Sequence, residues 1–428
     1  MFRRAKPDVL VVGAGPVGLF AALWLTRRGV KVEVIDEQWR GTTRSYALAL
    51  HPRSLELLDE LGVAGDVLAR ARRLGGIGLY EGGERYAHLA VAALPSKFPF
   101  LATIAQSTLE EILGDALARN GVKIQWNHRL GHLEPAPDAA RVTIEALGKV
   151  PVGYAIARNE SVVMRTRTLD VPFVLGADGH GSLVRQQSDL DFEAVSPAQY
   201  FAVFEADATG EVPDEVCVVL EPERASVMWP MPDGRVRWSF ELPDPIEVGD
   251  GRDKDRLLLA VDAEHAPRLD DDRLTALLRA RAPWFHGHIE GVAWRTVVRF
   301  ERRLASAFGA GRAWLVGDAG HLTGPVGVHS MNVGLREAAE LGDDVARVVA
   351  GRAPAAVLDD YNQARLREWR YLLGVTPRLH PGDRTDPWIA ARWDRLVDCL
   401  PASGAHLEAL LDQAASLSML PPQRAARW

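Results

Sequence analysis

The sequence predicts an α/β protein in which a Rossmann-like nucleotide-binding domain carries an inserted, mainly antiparallel sheet domain and is followed by C-terminal helices. Three observations lead to this prediction. A strand, a glycine-rich turn, a helix and a second strand succeed one another within residues 9–36. Apolar and polar side chains alternate in several runs between residues 199 and 242, as they do in strands with one buried face. Helical patterns dominate after Leu341.

A dinucleotide-binding fingerprint lies near the N-terminus. The letters VLVVGAGPVG place a strand, residues 9–12, directly before G-x-G-x-x-G, and residues 21–28 continue as a helix. A second strand, residues 31–35, ends at Asp36, where an acid can accept hydrogen bonds from a ribose. This context predicts a site for an adenine dinucleotide, and it does not distinguish FAD from NAD.

Each glycine of the fingerprint has a physical task. Gly13 permits the tight turn, Gly15 lets the backbone approach a pyrophosphate, and Gly18 lets helix and strand pack closely. The start of the helix offers free N–H groups and the positive end of its dipole to phosphates.

Composition excludes several other classes of protein. Of the 428 residues, 47% are hydrophobic and 25% are charged, and the net charge of −7 gives no reason to expect nucleic acid or an anionic membrane as partner. Cys217 and Cys399 are the only cysteines and lack metal-ligand spacing, so neither a disulfide framework nor a metal site is expected. The start MFRRAK and the apolar residues after it resemble a secretory signal, but Asp8 and the three glycines interrupt the pattern. We therefore expect a soluble, cytoplasmic protein.

Two later segments also run from a strand into a polar turn. FVLGADGHGSLVRQ begins with a strand at residues 173–175 and continues through Asp178 and Gly179. LVGDAGHLTGPVGVHSMNVG passes from an apolar run through Gly317 and Asp318 into a glycine-rich segment before a helical pattern resumes. Taken alone, an Asp-Gly turn is a common connection between a strand and a helix.

The three segments together carry a family resemblance. GAGPVG, GADGHGSLVR and GRAWLVGDAGHLTGPVG occur in the order typical of single-component flavoprotein monooxygenases of the para-hydroxybenzoate hydroxylase type, and the chain resembles that family over about residues 8–345. The resemblance implies noncovalent FAD, NADPH or NADH as reductant and O2 as co-substrate. It implies a monooxygenase that forms a flavin C4a-hydroperoxide and transfers one oxygen atom to an aromatic or polyketide-like small molecule. Ring hydroxylation, epoxidation and Baeyer–Villiger insertion all occur on this scaffold, so the fold does not choose among them.

The resemblance also assigns FAD contacts. Asp318 would accept hydrogen bonds from the ribityl hydroxyls, and a helix starting near Ser330 would aim amides at the flavin edge that becomes negative on reduction. The Asp-Gly turn would serve the FAD phosphates and the approach of NAD(P)H. The expected cofactor-binding residues are Gly13, Gly15, Pro16, Val17, Gly18, Asp36, Glu37, Arg44, Tyr46, Gln106, Asp178, Gly179, Gly317, Asp318, Pro325, Gly327, Met331 and Asn332.

A capping box is expected beside one of these residues. IAQSTLEEIL matches the strand-to-helix join at which the family places a glutamine on FAD, which gives this role to Gln106. Ser107 and Glu110 have the S-x-x-E spacing, so we expect Gln106 to lie just before the helix start.

The chain departs from the family pattern at two places. In the loop before Asn332 the family usually has paired glycines and then a further glycine, whereas this chain has GVHSM at residues 327–331, so that Val328 and His329 add bulk beside the flavin ring. His329 is a candidate proton-handling residue, and a surface or packing role is the alternative. In TTRSYALALHPRSLELL, Tyr46 stands where the family usually has an arginine, and Arg44 lies two residues earlier. Either Arg44 supplies the charge from a shifted loop, or Tyr46 stacks or hydrogen-bonds there.

The alternating strands supply candidates for a substrate pocket, and half of such a set should face away from it. The candidates are Met228, Trp229, Arg237 and Trp238. WRTVVRFERR also brings four arginines close together, for which a solvated face is the simpler interpretation and attraction of NAD(P)H phosphates the alternative. These are Arg295, Arg299, Arg302 and Arg303.

The expected division of the chain follows these segments. The FAD-binding domain takes residues 1–75, 101–190 and 301–345, an excursion into the substrate layer takes 76–100, the substrate-binding sheet domain takes 191–300, and a helical region takes 346–428. Two other functions remain open, a flavin-dependent halogenase and a non-catalytic flavin-binding protein. Halogenases usually carry W-x-W-x-I-P, and VMWPMP is not that motif.

Overall fold

The computed structural model describes residues 6–39, 49–135, 138–152, 158–243, 269–378 and 380–417. The strands in these ranges are, in chain order, β1 (Val9–Val12), β2 (Val32–Asp36), β3 (Ala49–Leu50), β4 (Arg72–Leu74), β5 (Gly76–Glu81), β6 (Glu84–Ala90), β7 (Leu101–Thr103), β8 (Ile124–Trp126), β9 (His128–Pro135), β10 (Ala140–Val152), β11 (Arg158–Val171), β12 (Phe173–Gly176), β13 (Phe192–Glu211), β14 (Val216–Leu220), β15 (Ala225–Pro230), β16 (Arg235–Glu241), β17 (His286–Ala305), β18 (Gly309–Ala310), β19 (Ala313–Leu315) and β20 (His321–Leu322). The α-helices are α1 (Pro16–Arg27), α2 (Pro52–Glu60), α3 (Ala64–Leu68), α4 (Gln106–Arg119), α5 (Leu183–Gln187), α6 (Asp271–Arg281), α7 (His329–Val349), α8 (Val357–Leu372), α9 (Pro387–Ala391), α10 (Trp393–Cys399) and α11 (Ala405–Ala415).

A six-stranded sheet in the order β18-β19-β12-β1-β2-β8 forms the centre of the nucleotide-binding part. β1 pairs in parallel with β2 and β12, β12 with β19, and β2 with β8, whereas β18 is antiparallel. The turns after β1, β12 and β19 and the last residue of β2 therefore lie at one edge of the sheet. Ligands of open parallel sheets bind at this carboxyl edge.

The two faces of this sheet are covered by different layers. Val9 and Val11 belong to an apolar cluster with the buried side chains of α1, whereas Leu10 and Val12 pack with residues of β9 and β10. A three-stranded antiparallel sheet, β11-β10-β9, thus covers the second face. The sequence analysis did not predict this layer, because it assigned an inserted sheet only to residues after 191.

An eight-stranded sheet in the order β20-β17-β13-β16-β15-β14-β5-β6 forms the second large layer. Its longest strands, β13 and β17, have 20 residues each and pair antiparallel, and only β5 and β14 pair in parallel within the described residues. Arg303 pairs with Leu322 and Leu304 with His321, so β20 joins this sheet to the segment that follows Asp318.

The predicted fold class is confirmed by this architecture. A Rossmann-like parallel sheet carries a mainly antiparallel sheet, and helices α8–α11 follow. The division of the chain into domains remains a prediction; the strands of the eight-stranded sheet come from residues 76–90, 192–241, 286–305 and 321–322. In the ranges that the structure describes, no helix combines the length and the apolar character needed to cross a membrane.

The C-terminal helices dock on the β6 edge of the eight-stranded sheet. The Ala90 amide donates to Gln413 Oε1 at 2.9 Å, and Gln413 Nε2 donates to the Ala90 carbonyl at 3.1 Å, so a side chain of α11 pairs with β6 as a strand would. Trp388 of α9 stacks on Tyr86 of β6, with ring centroids 4.2 Å apart. These contacts fix the position of the C-terminal helices beside the sheet.

A buried carboxylate on α7 fastens the turn after β19. Glu337 is 0% exposed. Its Oε2 accepts a hydrogen bond from the Gly317 amide at 2.9 Å and lies 3.0 Å from His321 Nε2, while Oε1 accepts from the Trp369 indole at 2.6 Å. Burial favours the neutral form, but attraction by His321 and these hydrogen bonds outweigh it, so the pKa of Glu337 lies below its ordinary value. The ionised carboxylate therefore holds α7, α8 and the turn together.

We expect Glu337→Gln to lower the free energy of unfolding at neutral pH by about 1–3 kcal/mol, because one buried donor loses its acceptor when an oxygen becomes an NH2 group. Since the pKa of Glu337 is depressed in the folded protein, the ionised carboxylate stabilises the fold above the glutamate pKa of the unfolded chain. This contribution is lost as the pH falls through the folded-state pKa. The difference between the wild type and the variant should therefore shrink in acid.

Denaturant unfolding at a series of pH values measures this difference. Glu340→Gln is a matched control, because Glu340 lies on the same helix and pairs with Arg365 at 2.9 Å while its side chain is 43% exposed. Glu340→Gln should cost less at neutral pH. Equal losses for the two variants, or a loss for Glu337→Gln that does not change with pH, would contradict the assignment.

Candidate active site

The turn after β1 is built from backbone contacts that leave no room for a side chain. Gly13 has a φ of +103°, and a Cβ there would lie 2.6 Å from the Ala177 carbonyl carbon and 2.9 Å from Asp178 Cα. A Cβ on Gly18 would lie 3.0 Å from the Gly13 carbonyl carbon. Gly15 differs, because no atom of the described residues lies within 4 Å of the position of its Cβ. Gly13 and Gly18 serve close packing, and Gly15 leaves space for a ligand at the start of α1.

The two residues after Gly15 shape the turn in other ways. Pro16 is the first residue of α1, where its missing N–H leaves no helical hydrogen bond unmade. Val17 packs against the turn after β19 and against α7, since Cβ atoms on Gly317 and Gly334 would lie 3.2 Å and 2.9 Å from its side chain.

Asp36 closes the same turn from the end of β2. The Ala14 amide donates to its Oδ2 at 2.6 Å, and the Gln38 amide donates to its Oδ1 at 2.7 Å. Burial raises the pKa of Asp36, and these two hydrogen bonds partly offset that effect. Each oxygen retains a lone pair that a ribose hydroxyl could reach. Glu37 is exposed beside it.

The expected capping box at the start of α4 was wrong. Ala105, with an extended backbone, is the N-cap, so the helix begins at Gln106 and Ser107 is already its second residue. The helix start has no side-chain cap. The side chain of Gln106 instead donates through Nε2 to Glu110 Oε1 at 2.9 Å, one turn along the helix. Gln106 remains at the carboxyl side of β7, at a helix start as predicted.

Asp178 caps the helix that follows it. Its Oδ1 accepts from the Ser182 hydroxyl at 2.6 Å, and its Oδ2 accepts from the amides of Leu183 and Val184 at 2.7 Å and 3.2 Å. Burial raises the pKa of Asp178, and these bonds partly offset the rise. The carboxylate is thus directed at α5. A role for Asp178 in the approach of NAD(P)H stays a prediction, and the geometry supports the structural role.

Arg185 links this turn to the one after β19. Its guanidinium donates to the carbonyls of Ala319 and His180 at 2.7 Å each and lies 3.8 Å from the ring centroid of Phe192. Gly179 has a φ of +73°, a conformation that favours glycine, and no atom of the described residues lies within 4 Å of its Cβ position. The second and third sequence segments are therefore one structural unit.

Asp318 follows β19 and leaves one carboxylate oxygen available. Its Oδ1 accepts a hydrogen bond from Ser330, whose hydroxyl oxygen also lies 3.5 Å from His321 Nδ1. Oδ2 has no hydrogen-bond partner among the described residues. Gly317 before it has a φ of +62°, and its amide is the one that Glu337 holds. A chain of polar groups, buried at its Glu337 end and partly buried at its Asp318 end, therefore connects these two carboxylates.

Asn332 fixes the segment before α7 to the start of α2. Its Oδ1 accepts from the His51 amide at 2.8 Å and from the Ser54 hydroxyl at 2.7 Å. Its Nδ2 donates to the carbonyls of Ala49 at 2.9 Å and of Val328 at 2.8 Å. The side chain has no donor left for a cofactor, so its contribution to the site is to shape the backbone.

The two residues that depart from the family pattern have distinct roles. Val328 is the N-cap of α7 with a φ of 44° and a ψ of 38°, a left-handed conformation that is strained for a β-branched residue. His329 is 1% exposed, its Nε2 lies 2.9 Å from the Leu400 carbonyl, and burial lowers its pKa. This environment fits a packing role, and proton handling by His329 stays a prediction. A Cβ on Gly327 would lie 2.7 Å from the Asp398 carbonyl oxygen, which explains that glycine.

Two predicted residues, Arg44 and Tyr46, lie outside the described residues. Met331 is 9% exposed and belongs to the main apolar core.

The four substrate candidates divide between the two faces of the eight-stranded sheet. Met228 and Trp238 pair across β15 and β16 and pack in the cluster that includes α6, which is the face turned away from the parallel sheet. Trp229 and Arg237, the next cross-strand pair, lie on the opposite face, where Arg237 pairs with Glu205. All four are buried, and none lines the cavity that borders the segment after Asp318.

That cavity has a volume of about 190 Å³ and lies between the eight-stranded sheet, the segment after Asp318 and α10. Its lining residues are Gln199, Phe201, Glu223, Ala225, Glu241, Arg302, Thr323, Gly324, Pro325, Val326, Arg395, Asp398 and Cys399. A second cavity of about 510 Å³ lies further out and shares four of these residues: Gln199, Glu223, Glu241 and Arg302. The two cavities therefore form one cleft.

Ion pairs and hydrogen bonds order the polar side chains of the inner cavity. Arg302 donates to Asp398 through both terminal nitrogens at 2.9 Å and 3.2 Å, and Arg378 donates to the same carboxylate at 2.6 Å. Gln199 Nε2 donates to Glu241 at 2.9 Å. Of the residues that line the inner cavity, the sequence analysis named only Pro325 as a site residue, although it noted Arg302 within the arginine-rich strand.

The four arginines of β17 have different environments, so neither interpretation describes all of them. Arg295 pairs with Asp271, while Arg299 and Arg303 pair with Glu301 on one face of β17. Arg302 lies on the other face and lines the cavity. Alternation along the strand could have separated Arg302 from its neighbours.

The carboxyl edge of the parallel sheet has groups that FAD could use. Gly15 leaves space at the start of α1, where backbone amides suit a pyrophosphate. Asp318 offers a carboxylate oxygen. The N-cap residue of α7, Val328, makes no side-chain hydrogen bond to the helix start, so the first amides of α7 can bind an electron-rich ring edge. The residues present therefore fit FAD.

Comparison with known proteins gives the same cofactor. The family described as FAD binding domain matches residues 6–373. The chain is 30% identical over 375 residues to a 6-methylpretetramide 4-monooxygenase of Streptomyces rimosus, an alignment that covers 86% of this chain and 61% of that protein. The chain spans less than two thirds of the length of the first curated relatives it matches.

Two solved structures have a similar fold. The p-nitrophenol 4-monooxygenase PnpA of Pseudomonas putida DLL-E4 is 20% identical with a TM-score of 0.67, and 96% of this chain and 94% of that chain are covered. An aklavinone-11 hydroxylase in a ternary complex with FAD and aklavinone is 25% identical with a TM-score of 0.64, and 87% of this chain and 68% of that chain are covered. The matched range includes all three sequence segments, which confirms the predicted FAD-binding fold. The chain belongs to the FAD binding domain family.

Proposed function

We propose that the chain is an FAD-dependent monooxygenase that consumes NADPH or NADH and transfers one oxygen atom from O2 to an aromatic or polyketide-like small molecule. One observation carries the proposal: Gly324, Pro325 and Val326, which follow Asp318 in the chain, form a wall of the inner cavity. A flavin held by Asp318 would therefore border a cavity that is large enough for a small molecule. The names of two similar proteins, a 6-methylpretetramide 4-monooxygenase and an aklavinone-11 hydroxylase, support the substrate class.

The cofactor and the chain would divide the work. Bound FAD, once reduced by NAD(P)H, would supply activated oxygen. The chain would orient the substrate and keep water from the reacting atoms, with Phe201, Pro325 and Val326 as the apolar part of the cavity. The overall reaction would consume the substrate, O2, NAD(P)H and a proton and would release the oxygenated product, NAD(P)+ and water.

The proposed FAD contacts follow from the groups left available in the fold. The start of α1 beside Gly15 would hold the pyrophosphate, and Asp36 the ribose. Asp318 would accept hydrogen bonds from the ribityl chain, and the first amides of α7 would face the ring edge that becomes negative on reduction.

The purified protein should be yellow with noncovalent FAD. Acid precipitation should release FAD into the supernatant, where chromatography identifies it. FMN in the supernatant, or flavin that stays in the pellet, would count against the proposed cofactor site.

Asp318→Ala should weaken FAD binding far more than Asp36→Asn. Asp318 Oδ2, which has no hydrogen-bond partner among the described residues, would accept from a ribityl hydroxyl, and a stranded hydroxyl costs about 1–3 kcal/mol. Asn at position 36 keeps an acceptor oxygen for the Ala14 amide, which Asp36 now binds at 2.6 Å. FAD dissociation constants from fluorescence titration of the apoproteins test the ranking, and equal constants would refute it.

Turnover distinguishes the proposed function from its alternatives. With a panel of phenols and naphthols, the holoenzyme should oxidise NADPH or NADH faster in the presence of a substrate and yield a product heavier by one oxygen atom. Peroxide is measured alongside. A halogenated product in the presence of chloride or bromide would indicate a halogenase. A flavin that NAD(P)H does not reduce would indicate a non-catalytic flavin-binding protein.

A further inference from the structure

Glu241 occupies the junction of the two cavities. It is the last residue of β16, pairs across the sheet with Phe201 of β13, and lines both the inner and the outer cavity. A group at this position can contact a molecule in the inner cavity and also exchange protons with solvent through the outer one.

Neutral donors alone hold the Glu241 carboxylate. Gln199 Nε2 donates to Oε1 at 2.9 Å, and the Ala225 amide donates to Oε2 at 2.7 Å. Within the described part of the chain no arginine, lysine or histidine pairs with it. The carboxylate is therefore oriented by two bonds, and each oxygen keeps a lone pair for a further proton donor.

The other acidic groups of the cleft are placed differently. Asp398 is occupied by Arg302 and Arg378, which direct three N–H groups at its two oxygens. Glu223 is exposed at the rim. Burial raises the pKa of the Cys399 thiol, so that it stays protonated. Among the described acidic residues of the cleft, Glu241 is thus the one that is partly buried and not paired with a cationic side chain.

Arginines line the two cavities together with Glu241. Arg302 of β17 and Arg395 of α10 line the inner cavity, and Arg395 donates one hydrogen bond to the Glu221 carbonyl at 2.6 Å. Arg281 of α6 lies behind the strand, where its Nε is 3.6 Å from Glu221. Arg224 lines the outer cavity. A negative charge formed in the inner cavity would therefore share that cavity with Arg395 and with Arg302, which also pairs with Asp398.

We propose that Glu241 is the general base that removes the proton from a ring hydroxyl of the substrate, and that Gln199 is the positioning residue that aims it. In this step the substrate O–H bond breaks, the proton binds a Glu241 oxygen, and the electron pair stays on the substrate oxygen, so nothing is oxidised. The resulting phenolate makes the ring more electron-rich and thus a better acceptor of an oxygen atom. Glu241 then releases its proton to solvent through the outer cavity. This inference rests on the proposed monooxygenase function and narrows the substrate class to hydroxylated aromatic compounds.

Gln199 also connects the base to the segment after Asp318. A Cβ on Gly324 would lie 3.1 Å from Gln199 Oε1, so the amide oxygen rests against that backbone while its Nε2 holds Glu241. The base and the segment beside the proposed flavin therefore share one fixed side chain.

Two phenols that differ in acidity test the assignment. 4-Methylphenol is almost wholly un-ionised at pH 7.5, whereas 4-nitrophenol is largely ionised and needs no base. For the FAD-loaded enzyme, Glu241→Gln should lower kcat for 4-methylphenol by about 10²–10⁴-fold and that for 4-nitrophenol by less than about tenfold. The amide oxygen introduced by this substitution would still accept the Ala225 amide, and the Gln199 side chain can turn its own amide oxygen toward the new NH2 group. The fold and FAD content should therefore be unchanged.

A binding measurement gives a readout apart from turnover. Above the pKa of 4-nitrophenol, the yellow phenolate should bind Glu241→Gln more tightly than the wild type, because the substitution removes a negative charge beside the bound oxygen. Un-ionised 4-methylphenol should bind the wild type at least as tightly as Glu241→Gln, because the carboxylate accepts a hydrogen bond from its hydroxyl. Glu290→Gln is the control, since Glu290 is exposed on β17 of the same sheet and, among the described residues, accepts a hydrogen bond from Thr209 alone, at 3.0 Å. This variant should behave as the wild type in both experiments.

The outcomes separate the inference from the function on which it rests. If the wild type is reduced by NAD(P)H but oxygenates neither phenol, the proposed function fails for phenols and the inference falls with it. If the wild type oxygenates 4-methylphenol and Glu241→Gln does so equally well, the function stands and Glu241 is not the base. Equal losses on both phenols, with 4-nitrophenolate binding Glu241→Gln and the wild type equally tightly, would assign Glu241 a structural role and overturn the inference.

Discussion

The site depends on one steric constraint, the contact between two backbone turns at the carboxyl edge of the parallel sheet. The turn after β1 and the turn after β12 approach so closely that a Cβ on Gly13 would lie 2.6 Å from the Ala177 carbonyl carbon. This contact brings the fingerprint of the N-terminal segment beside Asp178, and Arg185 of α5, the helix that follows this turn, donates to the Ala319 carbonyl. Three segments that are distant in the chain thus form one surface, because Gly13 has no side chain to hold the first two turns apart.

Electrostatics in the core fix the third segment. Glu337 holds the Gly317 amide and His321, and Ser330 bridges His321 to Asp318. The carboxylate proposed to bind FAD is thus oriented through the partly buried Ser330 by two fully buried groups, His321 and Glu337. β20, just beyond Asp318, also pairs with β17 of the eight-stranded sheet. One segment therefore connects the proposed cofactor site and the cavity. It begins at Asp318, which is proposed to bind FAD, and its residues 324–326 form a wall of the inner cavity.

Local rules made the fold and the nucleotide site predictable from the sequence, whereas non-local contacts decided the rest. Glycine spacing reports a backbone geometry that depends on few neighbours, and alternation predicted the antiparallel strands. The capping box at Ser107 failed because Ala105 takes the N-cap position, a choice that propensity alone does not fix. The cavity could not be foreseen, because Arg302 and Asp398, 96 residues apart, meet only when α10 docks beside the sheet. Alternation predicts that Met228 and Trp229 lie on opposite faces of the sheet, but it does not show which face borders the cavity.

Amide hydrogen exchange with and without FAD tests most directly whether FAD binds at this carboxyl edge. The account predicts that FAD slows exchange at residues 13–18 after β1 and at residues 317–334 around the start of α7, where free amides and the Asp318 turn would contact the cofactor. The hairpin of β10 and β11, on the far face of the sheet, should exchange at the same rate in both states. Protection confined to that hairpin, or none at residues 317–334 in a protein saturated with FAD, would contradict the account.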